Sequence, residues 1–592
     1  MASLVGTLPL RVAATWTLLG HPRPTMQDLV KATQAINRLD ALTVLIRLFR
    51  FADSRYGGNY ELLSKVVAER FTTPIGLQVQ RLLRDPRVVL FNRWQLLFGI
   101  KLVCTFGADK LSSADGRVPP DDLLELLLNI NDFIDRDNVT ISDEANGPVN
   151  VASAHQTVLK EHFLFSDEQP QNLVGRYYNL LFELSDPSNA GQFDNWVNLP
   201  NKTVDALGIS SLEFAAILFG LYSTTPISAE VRNGAEVKIF PPIHVGETGQ
   251  PFCIDPSQYF RNIAFPLESS QKALELISCS PEDVKRDHQD KHGDNLGKLF
   301  DLTYLIQHPV VKLKDNCYAA LSHNLLIQRL SVGLFWDIHD HLPSSGPPPN
   351  RLTLDSFWGR LIEQYGTNLL RRVALSDPKR RRLITESEYK LQQEKTADVI
   401  LIEKQGQDQG ALFEFTVGRP RLFDSLIPGN LQAFEEDMLK KLGSAIDQEI
   451  DLLNRLFSGE KQISGVNVGQ TKRWLICVVV ADPYPSYDFF LGPLKKRMQA
   501  LHATKTPVLG PLVLSLNELE QLEAMGSTRG LVGTLLDWVG SSYGSRPFSH
   551  FAGARARNSG TSFKNEFVRD CSDRATEAWH RALFPTQPSM HR

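Results

Sequence analysis

Two carboxylates stand in strand-like surroundings in the second half of the chain. Asp398 sits early in Thr396-Ala-Asp-Val-Ile-Leu-Ile402, and Glu414 follows sixteen positions later in Ala411-Leu-Phe-Glu-Phe-Thr-Val417. Side chains alternate faces along a strand, so Glu414 and Thr416 point the same way. Two adjacent strands would bring both carboxylates to one edge of a sheet. Paired carboxylates bind a hard divalent cation, typically Mg²⁺, through oxygen. Such an ion activates water and stabilises charge developing on a phosphodiester. A charge inside Leu-Phe-Glu-Phe is costly unless a metal or a cation meets it, which singles out Glu414.

Positive charge is gathered nearby. Arg371, Arg372, Lys379, Arg380, Arg381 and Arg382 lie within twelve positions, opposed only by Asp377. Contacts from such a run to phosphates are independent of base sequence and sensitive to salt. A solvated charged turn is the alternative. Residues 546–592 carry eight Lys and Arg against four Asp and Glu, in a tail that reads as mobile. There Phe548, Phe551 and Phe563 would either stack on bases or dock the tail on the protein. His339 and His341 lie two apart and read as a polar helix end. The stretch Asp287–Asp294 reads as a solvated loop.

These groups must be positioned by elements whose periodicity changes along the chain. The first 340 or so residues read mainly as helices, as over Met26–Phe51, where apolar residues recur every three or four positions. Ser210 offers a capping-box-like start to another helix. Residues 185–205 read as a long loop, 222–260 as extended and turn-rich, and 281–296 as solvated. A short hairpin is expected near 309–321, followed by a helix over 324–338. Ser344-Ser-Gly-Pro-Pro-Pro is the clearest breaker. Beyond it the order is helix 354–374, strands 397–403 and 411–417, helix 430–457, strand 474–480, helix 489–501, strand 513–516 and a helix from 518. That is an α/β domain around a mixed central sheet. The expected division is a helical domain 1–205, a second helical or mixed region 206–345, the α/β domain 346–540 and a basic tail 541–592.

Over residues 354–523 the chain resembles the PD-(D/E)xK, or restriction-endonuclease-like, superfamily. The resemblance rests on the element order, Asp398, Glu414-Phe-Thr416, the helix Phe357-Trp-Gly-Arg-Leu-Ile-Glu-Gln-Tyr365 and the ending Gly510–Glu520. The hairpin His308–Tyr318 resembles the junction before the nuclease domain in large bacterial proteins. The resemblance implies Mg²⁺- or Mn²⁺-dependent phosphodiester hydrolysis, with DNA as the nucleic-acid partner and a role in defence against foreign DNA. It assigns Asp398 and Glu414 to the metal, with Glu363 as a further acidic ligand. Glu363 falls off the apolar stripe of Phe357, Leu361, Tyr365 and Leu369, so a solvated glutamate is its alternative, and Glu386, Glu388 and Glu394 compete for the role. The motif's third residue is usually Lys, and here it is Thr416. A hydroxyl can hold a water but supplies no charge. Three readings follow. Another cation substitutes, with Lys404, Arg419, Arg421 and Lys440 nearby. The metal acts without it, with Thr416 positioning the water. Or the domain is a non-cleaving platform that binds nucleic acid or protein.

Composition sets the outer bounds. The chain has 592 residues, 42% hydrophobic and 22% charged, with a formal net charge of −4. A uniformly basic nucleic-acid coat is excluded, and a local basic groove is not. The six cysteines form no Cys-x-x-Cys pair, which argues against a zinc knuckle or disulfide framework. Cys317 and Cys477 lie in apolar runs and read as free thiols, consistent with a reducing cytoplasm. Neither a signal peptide nor a membrane span is expected. A P-loop and a Gly-x-Ser-x-Gly elbow are both missing, and the N-terminal helices are left as a surface for a protein partner.

Overall fold

The computed structural model describes residues 12–53, 60–110, 118–134, 168–225, 230–232, 236–238, 254–293, 295, 299–314, 317–389, 396–405, 407–418, 430–464, 466–468, 470–481, 484–501, 507–560 and 563–585. The chain divides into two compact units, Met1–His155 with Pro200–Ile338 and Thr576–Arg592, and Gln156–Leu199 with His339–Ala575. Among the described residues no single helix is long and apolar enough to cross a membrane. One bent pair, Leu199–Leu207 with Ser211–Ser223, meets at 70° and passes on length and composition alone.

The first unit is built chiefly of helices. Arg38–Ala52 and Arg93–Phe106 are buried along most of their length. Its hairpin, Val310–Lys314 against Cys317–Ala320, is extended by Ser278–Cys279 into three strands. The stretch expected to be a solvated loop is a helix, Pro281–His292. Ser280 caps it reciprocally with Asp283, and Pro281 takes the first turn, where no N–H is needed. Cys317 is disulfide-bonded, which corrects its reading as a free thiol. Cys477 is free and buried.

The second unit holds the α/β domain. Helix α1, Arg351–Ser376, opens at Asn350, whose side chain accepts from the Thr353 N–H. Strands β1 (Arg381–Thr385), β2 (Val399–Gln405) and β3 (Gln407–Thr416) follow. Then come α2 (Leu431–Lys441), α3 (Gly443–Ser458), β4 (Thr471–Val480), α4 (Asp488–Leu501), β5 (Val508–Ser515), α5 (Leu516–Arg529) and α6 (Leu531–Gly540). The sheet order is β5-β4-β3-β2-β1. The first three strands form an antiparallel meander, and β4 and β5 add in parallel. The buried run Trp474–Val480 suits a strand covered on both faces.

On one face Ile400, Leu412, Ile476 and Val478 pack with Phe434, Ile446, Ile450 and Phe490 from α2, α3 and α4. On the other, α1 approaches β3 at Gly366, where an added Cβ would come within 2.0 Å of the Phe415 ring. Glycine there lets the helix lie against the strand that holds Glu414.

Three further expectations are corrected. The single helix over 430–457 is two, broken at Leu442. The loop over 185–205 contains a 3₁₀ turn, Pro187–Gln192, and most of the helix Leu199–Leu207. The tail that reads as mobile forms helices Phe548–Ser559 and Glu566–Leu583, and Phe548 and Phe551 are buried, which is the docking alternative and not base stacking.

Candidate metal centre

The meander places Asp398 across from Glu414. Val399 pairs with Phe413, so the next step of the register sets the two carboxylates side by side, at the ~4.5–5.5 Å Cβ spacing of cross-strand neighbours. Asp398 is anchored on both flanks. Its Oδ2 accepts from the Phe415 N–H at 2.8 Å, and its carbonyl accepts from the Glu386 N–H at 2.9 Å. Glu386 follows β1 directly and is brought to the same edge by β1–β2 pairing. Glu363 reaches that edge from α1.

One ligand oxygen each from Glu363, Glu386 and Asp398 lies within 4.8 Å of the others. Glu388 is used differently, since its carboxylate accepts from the Thr385 N–H as a capping residue. Glu394, Arg419 and Arg421 lie outside the described residues.

The electrostatics of this edge are unfavourable without a counter-charge. Burial, followed by the Asp398, Glu386 and Glu363 charges, pushes the Glu414 carboxyl up to about 10. Its Oε2 is buried and has no hydrogen-bond partner. Burial and then the Glu363 charge raise Asp398 well above the carboxylate range, against the Phe415 N–H. Oxygen donors, like charges and an orphaned buried oxygen together suit a divalent cation.

A fifth carboxylate escaped the sequence reading. Glu449 of α3 is fully buried, and neither of its oxygens makes a hydrogen bond. Burial and the Glu414 charge raise it, and the nearby Cys477 N–H, which makes no hydrogen bond to it, opposes the rise only in part. Its signal was present, because Glu449 interrupts the stripe Ala445, Ile446, Ile450, Leu453 of α3.

Arg360, one turn before Glu363, was also missed. Its Nη1 donates to Glu363 Oε2 at 2.7 Å, and the Glu363, Glu386 and Asp398 charges raise its pKa.

Thr416 ends β3, and its Oγ1 accepts from the Gly418 N–H at 3.1 Å. The lysine against this turn is Lys441 rather than Lys440, since a Cβ on Gly418 would lie 2.9 Å from Lys441 Cβ. Lys404 is six residues along β2 from Asp398, ~20 Å in extended chain, and is corrected as a substitute cation.

The basic run is likewise at the far end. Arg381 and Thr385 bound β1, so Arg381 is ~13 Å from the acidic edge. Arg381 is buried, 3.5 Å from Glu403, and its Nη1 donates to the Val373 carbonyl. It is a structural ligand, which corrects its reading as a phosphate contact. Arg372 is 3.3 Å from Glu523, while Arg371, Lys379, Arg380 and Arg382 are exposed.

Comparison with protein-family models, curated proteins and solved structures returns no match.

Proposed function

We propose that the α/β domain is a metal-dependent nuclease of the restriction-endonuclease-like kind, hydrolysing phosphodiester bonds of DNA. The observation that carries this reading is the convergence of Glu363, Glu386 and Asp398, with Glu414 across from Asp398 on the next strand. A helix, an antiparallel three-stranded meander and a parallel strand, with Asp398 just before the second strand and Glu414 on the third, support the fold assignment.

Asp398 and Glu414 would hold Mg²⁺ or Mn²⁺, with Glu363 and Glu386 completing the acidic wall. When bound, such an ion lowers the pKa of a coordinated water and neutralises charge on the phosphate. The Phe415 N–H fixes the Asp398 carboxylate, which leaves its other oxygen for the ion. Thr416, whose Oγ1 accepts from the Gly418 N–H, would hold the attacking water in place by a hydrogen bond. Defence against foreign DNA is the corresponding biological role. Thr416 in place of lysine favours a second reading, in which the domain binds nucleic acid or protein without cleaving.

A cleavage assay on plasmid, linear and single-stranded DNA and on RNA, with Mg²⁺ or Mn²⁺, tests the proposal. Wild-type protein is expected to cleave only with metal, and Asp398→Asn and Glu414→Gln to lose at least about 10²-fold in rate. Metal-independent binding with no cleavage of any substrate selects the platform.

A further inference from the structure

We infer that Arg360 supplies the positive charge missing at Thr416, by donating to a non-bridging oxygen of the bound phosphodiester; this rests on the nuclease reading above. Four carboxylates and one divalent cation leave the edge net negative, so an entering phosphate needs a further cation. Among the substitute cations the sequence offered, Lys404 is remote, Lys440 is not the lysine against the Thr416 turn, and Arg419 and Arg421 lie outside the described residues; Arg381, offered as a phosphate contact, is buried in an ion pair of the fold. Arg360 instead belongs to the acidic edge. Its neighbour Gly359 faces Val417, the residue after Thr416, with Cγ2 4.0 Å from an added Cβ.

Arg360 also has donors to offer. Its side chain is 52% exposed, and its contact with Glu363 uses Nη1 alone. A guanidinium carries five N–H groups in a planar fork, so among the described residues Nε and Nη2 are left for phosphate oxygens while Nη1 holds Glu363. The i,i+3 spacing on α1 ties this cation to a proposed metal ligand, so phosphate and ion would be held by one helix face.

The test uses the full-length protein with Arg360→Ala and Arg360→Lys, and Lys441→Ala beside them. Turnover is followed with Mg²⁺, Mn²⁺ binding by calorimetry, and duplex binding in Ca²⁺ by anisotropy over a salt series. Arg360→Ala is expected to lower kcat about 10²–10³-fold without weakening Mn²⁺ binding. It should reduce the salt slope of duplex binding by about 1, the loss of one phosphate contact. Free guanidinium should restore part of the turnover, and Arg360→Lys should retain part of it. An unchanged salt slope, turnover within threefold of wild type, or a loss that tracks Mn²⁺ affinity overturns the inference, as does a loss confined to Lys441→Ala. A wild-type protein that cleaves nothing overturns the nuclease reading itself, an outcome read from wild-type turnover before any variant is compared.

Discussion

Glu403, buried, and Glu414, part-buried with a buried Oε2, lie on adjacent strands of one sheet, at opposite ends and on opposite faces. Glu403 accepts from the Leu531, Val532 and Gly533 N–H groups at 2.7, 2.8 and 3.4 Å, and Arg381 lies at 3.5 Å. Those N–H groups are the donors without an intrahelical partner at the start of α6, where the helix dipole also favours an anion. Burial raises the pKa of Glu403, and these partners oppose the rise. Glu414 has an orphaned oxygen, with the carboxyl groups of Asp398, Glu386, Glu363 and Glu449 around it. The same side chain closes the fold at one end of the meander and leaves an unsatisfied carboxyl at the other. Satisfaction of the buried carboxylate, rather than burial itself, separates architecture from site.

The largest effect should come from the satisfied end. Glu403→Ala leaves Arg381 buried without its anion and the start of α6 uncapped. A loss of about 3–5 kcal/mol is expected in urea unfolding. A loss below about 1 kcal/mol would erase the contrast between the two ends.

His288 of the first unit asks whether an orphaned buried group is always a site. Both ring nitrogens lack partners, and burial, followed by the Lys101 and His292 charges, lowers its pKa from 6.5 to about 4. The unfolded chain therefore takes up the proton first as pH falls. Stability is complete above about 6.5 and declines towards pH 4, by up to about 3 kcal/mol at 1.36 kcal/mol per pKa unit. His288→Gln should flatten that slope in melting curves over pH 4–7. An equal slope in the variant would contradict the assignment. A histidine meets burial by staying neutral, so its orphaned nitrogens leave no buried charge to be compensated.

Glu449→Leu sharpens the comparison from the other side. Removing a buried, unbonded carboxyl beside Glu414 is expected to raise metal-free stability by about 1–3 kcal/mol. Destabilisation would make Glu449 an architectural residue like Glu403. The smallest expected change is a gain of about 1 kcal/mol for Glu414→Gln without metal, read as a higher urea midpoint.

The legible parts of the site were local. Asp398 and Glu414 lie on two strands of one hairpin, so alternation and short separation sufficed to pair them. Glu363 emerged through the resemblance, since its helix face alone suggested solvent. The role of Glu386 depends on strand β1, which was hidden because Arg381 and Arg382 belong to a run that reads as a charged turn. In the sheet Arg381 turns inward to Glu403 and Arg382 outward, a distinction of pleat that composition does not carry. Glu449 signalled itself by breaking an apolar stripe, but its proximity to Glu414 is a contact between helix and sheet. The helix at Pro281–His292 was legible in its capping box, and its polar letters obscured it.

The central claim is that Glu414 and its neighbours form a divalent-cation site. Scanning calorimetry of wild type and Glu414→Gln, each with and without Mn²⁺, tests it most directly. The wild type is expected to gain melting temperature with Mn²⁺, by RT ln(1 + [L]/Kd) or about 2.7 kcal/mol at a hundredfold excess over Kd, while the variant loses most of that gain. Equal response of both proteins, or none from either, would contradict it.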